Sequence, residues 1–188
     1  MVLGTAAGGG FPQRNCACRM CTACRAGEVP ARTLDSLAVS TGDGWYLVNA
    51  SPDIRAQVLA APVFTPGPGP RETPLRGALL TGAELDHTIG RLMLREGGGL
   101  RVSGPPAVLS ALGSVRDTVA RYGSWEWSTT PALPGLTVST FAVSDKKPKY
   151  TNPVPAPRSP EYATVRDAGV DVPLDGECSR SDRLPSVK

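Results

Sequence analysis

One histidine, His87, is all this chain of 188 residues contains, which leaves little room for a metal centre that needs several imidazoles. Long apolar runs are missing too. No stretch approaches the roughly eighteen residues of a membrane helix, and Met1 to Gly10 has no basic segment followed by an apolar core, so neither membrane insertion nor a secretory signal is expected. An excess of one charge is also lacking. The 20 basic and 17 acidic residues leave a net charge of +3, dispersed and without an aromatic-rich basic patch, which excludes a nucleic-acid footprint. There is no internal repeat. These absences describe a cytoplasmic protein, a compartment where disulfides are rare and clustered cysteines mean metal binding or catalysis.

Glycine and proline, by contrast, are plentiful, at 21 and 19, beside a hydrophobic content of 40% that suits a globular domain. Val2 to Thr5 reads as a short strand entering Ala6 to Gly10, a turn that lets the backbone approach a neighbour closely. Ser36 to Ser40 and Trp45 to Ala50 read as strands joined at Gly42-Asp43-Gly44, a hairpin signal. Ser51 is the expected N-cap of a helix with Pro52 in its first turn and Ile54, Val58 and Ala61 on one face. Leu75 to Leu80 is a strand, Ile89, Leu92 and Met93 mark a short amphipathic helix, and Leu100 to Ser103 is another strand. A longer helix from Pro106 should bury Val108, Leu112, Val115, Val119 and Tyr122, and Leu136 to Val143 is the last expected strand. The alternation predicts α/β (α+β) layering over residues 1–145, with 146–188 as a Pro-rich, irregular tail.

Four of the five cysteines, Cys16, Cys18, Cys21 and Cys24, fall within the loop 15–25. Thiolates at these spacings can converge on one tetrahedral zinc, with Cys24 as the expected fourth ligand; free thiols on a loop are the alternative. Arg14, Arg19 and Arg25 would favour the thiolate state. Cys178 stands alone in the tail and is read as incidental.

The other cluster of chemistry is Thr81-Gly82-Ala83-Glu84-Leu85-Asp86-His87-Thr88-Ile89-Gly90, where an apolar run breaks into an acid-rich turn. Metallo-β-lactamase-like proteins present metal ligands in such a turn, as Thr-His-x-His-x-Asp-His-x-x-Gly, so Gly82 and Glu84 replace two histidines and a two-zinc hydrolase is not expected. Glu84, Asp86 and His87 are the candidate catalytic residues, and Asp86 and His87 the candidate ligands of an active-site metal. Asp53 is a further candidate ligand, with helix-dipole stabilisation as its alternative role. Asp86 capping a helix over a packed His87 is the structural alternative for the turn.

Taken in order, Val2 to Gly10 with Phe11-Pro12-Gln13, Asn15-Cys16-x-Cys18-x-x-Cys21, Asn49-Ala50-Ser51-Pro52-Asp53-Ile54 and Asp86-His87-Thr88-x-Gly90 resemble the pyrroloquinoline quinone (PQQ) biosynthesis protein B family, over about residues 2–150. The resemblance implies a metallo-β-lactamase-like αββα sandwich, here mainly its N-terminal half. It also implies a structural zinc on Cys16, Cys18 and Cys21, and a part in making a redox quinone from a precursor peptide. The activity it implies is a metal-dependent oxygenase that hydroxylates a tyrosine of that peptide, with Fe(II) at Asp86 and His87. A non-catalytic carrier of PQQ or its precursor toward the periplasm is the alternative, in which Arg91, Arg95, Arg101 and the group Lys146, Lys147 and Lys149 pair with ligand carboxylates. A phosphodiesterase-like metallohydrolase and an inactive fragment are the remaining readings. With the family's second half absent, an apolar sheet face should be uncovered and a homodimer is expected.

Overall fold

The computed structural model describes residues 1–97, 99–144, 148, 150 and 161–165, the last group as backbone only. Six strands form one sheet in chain order: β1 (Val2–Gly4), β2 (Ser36–Ser40), β3 (Trp45–Val48), β4 (Leu75–Leu79), β5 (Arg101–Ser103) and β6 (Glu126–Ser128). The first three are antiparallel neighbours, and β3 to β6 run parallel. Parallel pairing requires crossovers, and helices supply them: α2 (Ile54–Ala60) after β3, α3 (Leu85–Thr88) with a 3-10 stretch Ile89–Gly97 after β4, and α4 (Pro106–Ala111) with α5 (Gly113–Val119) after β5. α1 (Arg19–Arg25) lies outside this pattern, between β1 and β2.

The register aligns Ala38, Leu47, Ala78, Val102 and Trp127 in one row across five strands. Strand alternation puts that row on a single face. Ala38, Leu47 and Ala78 form a core with Ile54 of α2, and Val102 packs with Leu80, Val108, Leu109 and Leu112. On the opposite face Tyr46 and Leu79 are buried beneath Leu133, with Leu136 and Val138 packed against them. That face is therefore partly covered by the chain itself, because the segment after β6 folds back over it. Beyond it, β7 (Val138–Ser144) pairs antiparallel with β8 (Glu161–Val165), and Phe141 and Val143 are exposed. Most of the expected irregular tail, with Cys178, Lys146, Lys147 and Lys149, lies outside the described residues. No helix among the described residues is long and apolar enough to cross a membrane.

The strands β2 and β3 and their hairpin lie where the sequence places them. Three local expectations are corrected. Ser51 is not the N-cap of α2; that position is Asp53, and the Ser51 hydroxyl donates instead to Oε1 of buried Gln57 at 3.1 Å. The amphipathic pattern at 89–93 forms a 3-10 helix, in which Ile89 and Met93 are exposed and Arg91 is buried. The long helix breaks in two at Leu112, and Tyr122, which follows the end of α5, is 62% exposed rather than in the core. β6 has no counterpart among the expected strands.

Candidate functional site

The cysteine loop closes between the β1 exit and α1. The sulfurs of Cys16, Cys18 and Cys21 all lie within 4.8 Å of one another. Two sulfurs about 2.3 Å from one tetrahedral zinc are separated by about 3.8 Å, so this trio fits a single ion. Backbone amides reinforce it: Gln13 N–H donates to Cys21 Sγ at 3.4 Å and Cys18 N–H to Cys16 Sγ at 3.5 Å. The amide of Cys21 and then the thiols of Cys16 and Cys21 bring the Cys18 thiol down to about 7. At Cys21 the Gln13 amide acts downward, but burial and the neighbouring sulfurs outweigh it and push the thiol up.

Arg25 braces the loop rather than the sulfurs. Its guanidinium donates to the carbonyls of Cys16 at 2.7 Å and Gln13 at 2.5 Å. Cys24 does not join the trio. One helical turn beyond Cys21 on α1, it is buried, and the convergent set among the described residues holds three sulfurs.

The second cluster lies past the C-terminal ends of β3 and β4, the edge at which open parallel sheets form ligand crevices. Asn49, directly after β3, has φ 64°, a left-handed conformation that asparagine tolerates. It is fully buried and joins three segments. Its amide donates to Leu79 O at 2.9 Å, its Oδ1 accepts from Thr81 N–H and Thr81 O–H at 3.0 Å each, and its side chain donates to Asp35. The next residue holds the Asp-His turn in place: Ala50 N–H donates to His87 O at 2.7 Å and Gly90 N–H to Ala50 O at 3.0 Å. A Cβ at Gly90 would collide with the Ser51 carbonyl, so the glycine three residues after His87 permits this approach.

Asp35 is the functional residue the sequence did not reveal. Its Oδ2 is 3.7 Å from His87 Nε2, and both side chains are mostly buried. Burial pushes the Asp35 carboxyl up and Asp86 adds to this, while His87 and the Asn49 hydrogen bond act against it. No motif announces it; Asp35 precedes β2 and meets His87 only through the tertiary fold. Asp86 lies against the glycine-rich turn, where a Cβ at Gly8 would come within 2.6 Å of Asp86 Oδ2. The close approach expected of that turn is therefore to the acid of the Asp-His pair.

The expected active-site metal does not fit this arrangement. Among the described residues the only convergent set of three donor side chains is the cysteine trio, so Glu84, Asp86 and His87 are not gathered around one point. His87 Nε2 faces Asp35, and its Nδ1 is buried without a hydrogen-bond partner among the described residues. A catalytic Fe(II) wants two imidazoles and a carboxylate on one face, and this chain supplies one imidazole. Glu84 is the N-cap of α3 without a side-chain cap bond. Asp53 Oδ2 accepts the Leu34 amide at 2.9 Å, which ties the segment before β2 to the start of α2. The arginines also separate: Arg91 is buried, Arg95 pairs with Glu96 at 3.4 Å, and Arg101 pairs with Glu126 at 3.0 Å on an exposed edge.

Residues 44–163 match the beta-lactamase superfamily domain. The coenzyme PQQ synthesis protein B of Methylorubrum populi is 42% identical over 160 residues, which cover 80% of this chain and 54% of that protein. Among solved structures, Zn(2+)-bound PqqB from Methylobacterium extorquens is similar with a TM-score of 0.72 and 36% identity, covering 86% of this chain and 56% of that one. A diphosphatase from the PhnP family, at TM-score 0.52 and 20% identity over 68% of this chain and 49% of its own, shares the fold. The chain spans about half the length of the curated relatives it matches.

Proposed function

From the premise that this chain belongs to the beta-lactamase superfamily and is similar to coenzyme PQQ synthesis protein B, we propose that it serves PQQ biosynthesis as a zinc-stapled binding protein. In this reading it holds PQQ or its precursor without transforming it, in the cytoplasm, where free thiols persist. Cys16, Cys18 and Cys21 would hold a zinc that fixes the loop before α1, a structural role, since three thiolates leave no carboxylate or imidazole in the set.

The observation that carries the binding reading over the oxygenase reading is the donor geometry at His87. Its Nε2 is directed at Asp35, and no other imidazole exists in the chain. The residues of this edge can still hold a proton, because Asp35, Asp86 and His87 meet there. An oxygenase would need ligands from outside this chain.

The test is equilibrium dialysis of the purified chain against PQQ, in parallel with turnover of a tyrosine-bearing precursor peptide supplied with Fe(II) and reductant. Saturable PQQ binding retained by His87→Ala, without hydroxylated peptide, is the expected result. Hydroxylation that depends on His87 would overturn the proposal.

A further inference from the structure

Apart from the thiol loop and the His87 turn, Arg91 is a buried charged group whose guanidinium ends lack hydrogen-bond acceptors among the described residues. Arg91 follows α3 in the 3-10 stretch and is 1% exposed. Its Nε donates to the Thr88 carbonyl at 2.9 Å, while neither Nη1 nor Nη2 has a hydrogen-bond partner among the described residues. Two guanidinium nitrogens deprived of both water and acceptors are unfavourable. Burial lowers the Arg91 pKa only to about 10, so it stays charged at neutral pH.

Its surroundings give that charge a direction. The guanidinium lies 5.1 Å from the centre of the Trp127 ring, on the helix-bearing face of β6, and Arg116 of α5 sits 5.1 Å from the same ring. Two cations share one aromatic platform, which favours an anion beside it. The cover is slight. Tyr150 donates its hydroxyl to the Ala83 carbonyl and feels the charges of Glu84 and of Arg91, and the residue is 42% exposed. Ala83 lies four residues past the end of β4, in the loop that leads into α3 and His87, so the Tyr150 hydroxyl sits at the same sheet edge as His87.

We propose that Arg91 anchors an oxyanion site, in which a carboxylate or phosphate displaces Tyr150 and accepts hydrogen bonds from both Nη groups. The planar fork of arginine matches such a group in bidentate fashion. For a carboxylate-bearing quinone the site deepens the binding reading above and rests on it. For a simple oxyanion it does not.

The experiment uses the full chain as wild type, Arg91→Met and Tyr150→Ala, in thermal melts and tryptophan-fluorescence titrations with PQQ, citrate and inorganic phosphate. Methionine removes the charge at similar volume, so this variant should melt no lower than wild type without anion. Should it fail to fold, Arg91→Lys, which keeps charge but loses the fork, replaces it. The expected result is an oxyanion that stabilises wild type, binds about tenfold or more weakly when Arg91 is replaced, and binds more tightly to Tyr150→Ala. PQQ binding of equal strength in wild type and Arg91→Met overturns the Arg91 site and leaves the binding reading standing. Phosphate or citrate binding that requires Arg91, with no PQQ binding to wild type, supports the site and contradicts the binding reading. Absence of stabilisation by any of the three anions overturns the site.

Discussion

Replacing Asn49 by alanine should destabilise the protein by about 3 kcal/mol or more, chiefly by leaving the Thr81 amide without its acceptor. The side chain of Asn49 accepts from both Thr81 donors at 3.0 Å and donates to Asp35, so three bonds are lost together. An unpaired, largely buried amide alone costs about 1–3 kcal/mol. The φ of 64° adds about 1 kcal/mol, because a Cβ without a compensating side-chain bond is disfavoured there. Asn49→Gly separates the two effects: it accepts the left-handed backbone and should recover about 1 kcal/mol while the bonds stay lost. Urea unfolding of the three proteins, with the denaturant slope checked for constancy, measures both steps. Asn49→Ala within about 0.5 kcal/mol of wild type, the range of an ordinary surface change, would refute the idea that this residue ties β2, β3 and β4 together at the site.

Cys24→Ala should keep its zinc and lose only core packing, about 1 kcal/mol, whereas Cys18→Ser should lose both zinc and thermal stability; elemental analysis and melting curves distinguish the two. Asp35 has a folded pKa raised by burial, so it contributes stability below its unfolded pKa that is lost as pH rises through the folded value. Asp35→Asn, which can still accept from Asn49, should therefore be more stable than wild type at neutral pH, with the advantage vanishing in acid; urea midpoints across that range check the sign. Gly8→Ala would bring a Cβ to 2.6 Å from Asp86 Oδ2, a side-chain end that must swing aside, and should cost about 1 kcal/mol. Adding Asp86→Ala should return most of that loss, and a double-mutant cycle with no coupling would show that the turn and the acid do not touch.

What the sequence made legible was whatever is decided by neighbours in the chain. The hairpin between β2 and β3 follows from Gly42-Asp43-Gly44, and the thiol trio follows from cysteines close enough that one loop must gather them. Cys24 shares the helix face of Cys21 three residues on, and only the three-dimensional placement of the loop leaves its sulfur outside the convergent set. The apolar pattern after His87 has a period of 3.6, whereas a 3-10 helix near three residues per turn shifts the buried position to Arg91. Asp35 carries no sequence signal and Asn49 enters only as part of a resemblance motif, because their roles exist only where β2, β3 and the α3 turn meet. β6 escaped since three residues with one tryptophan carry no periodicity, although Trp127 proves central to the surroundings of Arg91.

The proposed binding role rests on zinc held by the cysteine trio and not at the Asp-His turn. Zinc X-ray absorption of the purified protein, with Cys18→Ser and His87→Ala beside it, tests that most directly. The account predicts a sulfur-dominated shell at about 2.3 Å that is abolished by Cys18→Ser and unchanged by His87→Ala. A nitrogen- and oxygen-dominated shell near 2.0 Å that disappears with His87 would contradict it.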